Sequence, residues 1–126
     1  MPKSNQIVIN TGPLLALIAA LGDLKVLESL YERVFVPYEV CLEILAGGSS
    51  GFGIDEFSQA TFLFKQKNQT KIEPYLLNSL DLGESSVIQT ALDMKIRTVC
   101  IDEAMGRRIA RLNGLTLTGS LNQASE

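Results

Sequence analysis

The sequence predicts an α/β domain of three layers built around a mostly parallel sheet. Short apolar runs, Ile7-Val8-Ile9, Val34-Phe35-Val36 and Thr98-Val99-Cys100-Ile101, read as strands buried on both faces, as parallel sheets require. Between them lie stretches of helical periodicity, and strands alternating with helices build parallel sheets. At 126 residues, 46% of them hydrophobic and 20% charged, the chain is one domain, large enough to bury a core without disulfides.

After a polar lead-in from Met1 to Gln6, the first strand, Ile7 to Ile9, meets Asn10-Thr11-Gly12-Pro13. Gly12 permits a sharp turn, and Pro13 suits the first helical position, where its missing N–H costs nothing. The run Leu14 to Leu21 continues as that helix. Gly22-Asp23 breaks it, and Leu24, Val26, Leu27 and Leu30 give a second amphipathic helix with Asp23 as N-cap. The second strand is stopped by Pro37. From Tyr38 to Ala46, Val40, Cys41, Ile44 and Leu45 share one helical face, while Glu39 and Glu43 lie one turn apart on another. Gly47 to Gly53 is a loop by composition, read as a tolerated insertion rather than a lid.

Thr61-Phe62-Leu63-Phe64 fits either a strand or the end of a helix entered near Asp55, and Ile72 to Leu80 fits a short helix. Leu82-Gly83-Glu84-Ser85 opens an amphipathic helix with Val87, Ile88, Ala91, Leu92 and Met94 on its buried side. The strand Thr98 to Ile101 ends at Asp102-Glu103. A helix from about Ala104 to Leu112 follows, closed by Asn113-Gly114 as a left-handed C-cap. Leu115 to Thr118 is a last strand, and Gly119 to Glu126 a tail.

Composition excludes several chemistries. The chain has no histidine, which removes His-based triads, a haem proximal histidine and most zinc sites, leaving carboxylates for acid/base or metal work. A net charge of −3 argues against broad electrostatic capture of nucleic acid, though not against a local basic patch. Cys41 and Cys100 lie far apart in apolar surroundings and read as buried free thiols, which suits a reducing cytosol. The Leu14 to Leu21 run is far below the ~20 residues of a membrane span, and the expectation is a cytoplasmic protein.

Asn10 and Asp102 each follow a buried strand, so both project at the carboxyl edge of the sheet, where open α/β domains collect ligands. Glu43, in the helix after the second strand, and Glu84, opening a later helix, are placed to aim into the same crevice. The three carboxylates and one amide form an oxygen-donor set that suits Mg²⁺ or Mn²⁺, and a cation gives such mutually repelling groups a rationale. Duller readings stand beside these. Asp102 and Glu84 complement helix dipoles, Glu43 is a solvated face with Glu39 as its rival, and Asn10-Thr11 is turn chemistry and an N-cap.

The order I-V-I-N-T-G-P-L-L-A-L, V-F-V-P-Y-E-V-C-L-E-I, L-G-E-S-S-V-I and V-C-I-D-E-A-M-G-R-R-I-A resembles a PIN domain, especially the small prokaryotic branch related to toxins of toxin–antitoxin pairs. The resemblance runs from about Ile7 to Leu121. It implies a three-layer Rossmann-like domain over residues 1–126 with an acidic pocket that binds divalent metal and cleaves RNA. By motif, the four acidic positions fall on Asn10, Glu43, Glu84 and Asp102, and Thr11 matches the small hydroxyl residue that orients the pocket. Metal-activated water would then hydrolyse the phosphodiester, with Arg107, Arg108 and Arg111 contacting phosphates. Alternatively, those arginines are a solvated helix face.

Two departures from the family pattern matter. Asn10 stands where an aspartate is usual, so a full negative charge is missing from the metal site. The chain also ends at Glu126, where family members usually continue, so the expectation is that apolar surface normally covered there is covered by a partner, most naturally in a homodimer, or stays exposed. A small antitoxin protein is the further partner that the toxin resemblance implies. A second reading therefore makes the chain a catalytically weakened PIN-like module that binds RNA or protein. A haloacid-type phosphatase is set aside because Asn10 cannot be its nucleophile, and a phosphotransfer receiver because Leu115 to Glu126 has no lysine.

Overall fold

Ile7, Val8 and Ile9 are completely buried in the computed structural model, which describes residues 5–102 and 110–118. They form β1 (Gln6–Ile9), the middle strand of a five-stranded sheet in which every pairing is parallel. With β2 (Arg33–Val36), β3 (Phe64–Lys65), β4 (Thr98–Cys100) and β5 (Thr116–Thr118), the order across the sheet is β3-β2-β1-β4-β5. Helices cover both faces, giving the three-layer α/β/α architecture. Burying three adjacent β-branched side chains in the middle of the sheet contributes roughly 1.5–3 kcal/mol each.

The chain builds outward from β1 to β2 and β3, then returns to lay β4 on the other side of β1. The reversal makes the carboxyl ends of β1 and β4 a topological switch point, the place where open α/β sheets form ligand crevices. The register there is fixed by Val8 opposite Val99 and Ile9 opposite Cys100, and the Asn10 N–H donates to the Cys100 carbonyl at 3.1 Å.

Helix α1 (Thr11–Leu21) begins immediately after Asn10, so Gly12 and Pro13 lie inside its first turn and not in a turn before it. Pro13 is accommodated because the first N–H groups of a helix have no intrahelical partner. Helix α2 (Lys25–Leu30) has Leu24 at its N-cap, and Asp23 instead accepts from the Lys25 N–H at 3.0 Å. Pro37 ends β2 and caps α3 (Tyr38–Ala46) with no intervening loop.

In α3 the buried face is Glu39, Val40, Cys41 and Ile44, while Leu45 is half exposed. The Gly47–Gly53 loop leads into α4 (Ile54–Gln59), and a Cβ on Gly53 would stand 2.7 Å from Leu15 of α1, so the loop is packed closely at that end. Thr61 to Leu63 belong to neither a helix nor a strand, and the strand is the two-residue β3.

Helix α5 (Pro74–Ser79) precedes α6 (Leu82–Met94), which packs on β1, β4, α3 and α5. Because layers meet α6 on several sides, Gly83 to Ala91 are all buried, and it is Met94 near the solvent end that is exposed. Gly114 takes the left-handed conformation anticipated for it, at φ +79°. The helix expected from Ala104 lies largely outside the described residues, of which 110–112 are helical. Cys41 and Cys100 are both buried, and neither forms a disulfide among the described residues. Among the described residues, no helix is long and apolar enough to cross a membrane.

Candidate active site

Asn10 leaves β1 with extended backbone and heads α1, yet its side chain makes no capping hydrogen bond. The residue is 8% exposed, and among the described residues its Oδ1 has no hydrogen-bond partner. Thr11, also buried, donates from Oγ1 to Glu43 Oε1 at 2.9 Å, which ties α1 to α3 and orients the Glu43 carboxylate. Glu43 itself is exposed on α3, so its carboxylate lies at the border between protein and solvent.

The gap between these groups exists because Gly83 has no side chain. A Cβ there would lie 3.1 Å from both Asn10 Oδ1 and Glu43 Oε1, and 3.6 Å from Asp81 Oδ1. Glycine near the head of a helix forgoes helix propensity, and here it leaves room beside two oxygens. An open cleft of about 380 Å³ is lined by Glu39, Leu42, Glu43, Asp81, Leu82 and Gly83.

Glu39 and Glu43 both line this cleft, but their carboxylates have different partners. Glu39 is buried and accepts from the Thr70 N–H and the Thr70 hydroxyl, both at 2.8 Å, so it pins the segment after β3. Glu43, one turn later, reaches the Asn10-Thr11 corner. Glu84 also makes a structural contact at the head of α6. Asp81 Oδ1 accepts from the Glu84 N–H at 2.8 Å, and Glu84 Oε1 accepts from the Asp81 N–H at 3.2 Å. This reciprocal capping box fixes the head of α6. Asp81, a cleft residue outside the predicted site set, is marked in the sequence by the D-L-G-E spacing of a capping box.

Asp102 follows the end of β4 as an exposed residue, and its Oδ2 lies 3.2 Å from where a Cβ on Gly12 would be. The absent side chain therefore lets this carboxylate approach the first turn of α1, next to Asn10 and Thr11. Arg111 is exposed, while Arg107 and Arg108 lie outside the described residues. Among the described residues, no group of three or more His, Cys, Asp and Glu side chains is close enough to hold a metal ion. What is assembled is a mixed oxygen set: the amide of Asn10, the hydroxyl of Thr11 and the carboxylate of Glu43.

Away from this corner, burial raises the pKa of Cys41, against the opposing pull of the Lys65 charge. Burial also lowers the pKa of Lys65.

A family model for the PIN domain matches residues 6–122. The chain belongs to the PIN-domain family. No curated protein and no solved structure matches it significantly. PIN domains are generally nucleases, so membership supports a nuclease-type function for this chain, and they typically depend on divalent metal. The residues present fit such an ion in kind. All the donors are oxygens, a buried amide oxygen is unpartnered among the described residues, and the missing Gly83 side chain leaves space beside it.

Proposed function

We propose that this PIN domain is a metal-dependent endoribonuclease that cleaves RNA phosphodiesters at the corner formed by Asn10, Thr11 and Glu43. One observation carries the reading: Asn10 Oδ1 is buried, unpartnered among the described residues, and beside the same vacant Gly83 position as Glu43 Oε1. Leaving a buried acceptor unsatisfied costs about 1–3 kcal/mol, a cost that a site residue recovers when its ligand arrives.

Asn10 and Glu43 would hold Mg²⁺ or Mn²⁺, with Asp102 and Glu84 supplying negative charge from the β4 and α6 sides. Such an ion supplies Lewis acidity and lowers the pKa of a bound water. Thr11 keeps Glu43 oriented through its 2.9 Å hydrogen bond and retains acceptor capacity on its own oxygen. The exposed Glu43 carboxylate is the group we assign to take the proton of the attacking water as the phosphorus–oxygen bond to the leaving ribose breaks. Arg111 is a phosphate contact in this reading.

The test is calorimetric titration with Mn²⁺ and Mg²⁺, together with cleavage of single-stranded RNA, for the parent and a Glu43→Gln, Asp102→Asn double variant. Metal binding and cleavage that both vanish in the folded variant support the reading. A parent that binds neither ion overturns it. The toxin role adds that expression should arrest growth, and that a co-encoded small antitoxin should relieve the arrest. Failure of both leaves a nuclease outside toxin–antitoxin systems.

Asn10 itself favours a second reading, an RNA- or protein-binding module with weakened catalysis, because a neutral amide replaces the usual first carboxylate. Asn10→Asp separates the two. A gain of metal-dependent cleavage marks a tuned or degenerate nuclease, whereas unchanged inactivity marks a binding module.

A further inference from the structure

Helix α3 is a ridge between two clefts. Glu39 and Glu43 line the cleft already described, and Leu42 stands on the crest, lining both. On the other side, Tyr38, Leu45, Phe57, Lys65 and Lys67 help to line a second open cleft of about 450 Å³ between α3, α4 and β3. The spacing of Tyr38, Leu42 and Leu45 puts them on successive turns of one helix face, so the apolar wall runs the length of the ridge.

The two clefts have opposite charge. Among the charged side chains, the first is lined by Glu39, Glu43 and Asp81, and the second by Lys65 and Lys67 alone. Lys65 is already ordered: its Nζ donates to the Phe57 carbonyl at 2.8 Å and lies 4.4 Å from the centroid of the Phe57 ring. Lys67 is exposed and makes no ion pair among the described residues. The segment carrying it is fixed further along, where buried Glu39 accepts two hydrogen bonds from Thr70. A chain of net charge −3 thus sets an anchored cationic, aromatic-lined cleft one helix-width from an acidic one.

We propose that this second cleft is a subsite for a nucleotide of single-stranded RNA flanking the bond to be cleaved, with the base against Tyr38 and Leu45 and its phosphate on Lys67. The inference rests on the ribonuclease reading above. An apolar pocket with an aromatic wall accepts any base by its face, and a cation at the rim holds the backbone, the combination used for single strands. A strand crossing the ridge at Leu42 would place one nucleotide here and the next phosphate on the Glu43 side. An acidic peptide would meet the same lysines, but it would not explain the adjoining oxygen-donor cleft.

The test measures anisotropy of a short fluorescent single-stranded RNA of mixed sequence, in EDTA so that nothing is cleaved, across a range of salt. Lys67→Gln should weaken binding about tenfold and reduce the salt slope by about one, the mark of a lost phosphate contact. Tyr38→Ala should weaken binding about tenfold with the slope unchanged, the mark of lost stacking. Thermal melting of each variant verifies the fold, and a photo-crosslink from 4-thiouridine RNA in the parent should map to the peptide holding residues 38–45. If the parent binds and cleaves RNA but both variants bind like the parent and the crosslink falls elsewhere, this inference is overturned while the nuclease reading stands. A parent without affinity for RNA overturns both. An acidic peptide whose binding depends on Lys67, with RNA binding indifferent to it, assigns the cleft to a protein partner and also overturns the inference.

Discussion

Helices α1 and α6 begin beside the same cleft, and their first residues are used in opposite ways. Asp81 spends its side chain on α6, closing a capping box with Glu84 in which both N–H groups at the helix head are satisfied. Asn10 is an equally good capping residue by type, but its side chain caps nothing. Its oxygen stays buried and, among the described residues, unpartnered, while its backbone N–H holds the sheet together through Cys100. Where a local preference is satisfied, the side chain belongs to the fold. Where it is declined at a buried position, the side chain is available for a ligand.

The sharpest way to break this comparison is to remove the Asn10 amide. On the proposed reading, Asn10→Ala should lower metal-dependent cleavage by about 10–100-fold, the range seen when groups around a metal site are removed. It should leave urea-unfolding stability unchanged or raise it by up to about 1–3 kcal/mol, since a buried acceptor without a partner among the described residues is removed. A large fall in stability would show that Asn10 is structural after all. Asp81→Ala should do the reverse and cost about 1–2 kcal/mol in urea unfolding, with metal affinity less affected than by Asn10→Ala.

Gly83→Ala sharpens the contrast from the position between the two groups. The added methyl would meet Asn10 Oδ1 and Glu43 Oε1 at 3.1 Å, closer than ordinary contact, while alanine improves helix propensity by up to about 1 kcal/mol. The expected result is unchanged or slightly raised melting temperature with reduced Mn²⁺ affinity by calorimetry.

The smallest effect lies away from the site and depends on pH. Burial raises the Cys41 pKa above the ordinary 9.0, so the fold prefers the neutral thiol. The associated stability is present below the ordinary value and is lost as pH rises through the raised one. Lys65, lowered from 10.5 by burial, has the opposite sign: its contribution is present above that value and is lost as pH falls through the lowered one. Urea unfolding between pH 8 and 11 should show a small alkaline loss for the parent relative to Cys41→Ala.

How far the sequence could be read differs by element for physical reasons. β1 was legible because three β-branched residues in a row have few uses other than a strand buried on both faces. β3 was not, because Phe64 and Lys65 are a strand only through their pairing with Phe35 and Val36, which no local pattern encodes. Leu45 and Met94 were placed on buried faces by period alone. Period fixes which residues share a side, and the neighbours decide how far along that side the cover extends. The carboxyl-edge location of Asn10, Thr11 and Asp102 followed from strand ends, whereas the Thr11–Glu43 bond and the meeting of Asn10 and Glu43 beside Gly83 depend on how α1, α3 and α6 pack. Arg107 and Arg108 lie outside the described residues, so their part in the reading rests on the sequence alone.

On the nuclease reading, Gly12 and Gly83 give the site an unusual route to inactivation. Each leaves a carboxylate or amide oxygen room that one added carbon would crowd. Neither glycine is held by backbone conformation, since neither appears among the positive-φ residues, so alanine is compatible with the helical backbone at both. A lineage carrying this gene could therefore silence the cleft by a single small substitution and keep an intact, foldable scaffold. Selection that retains both glycines would be selection on the empty space itself.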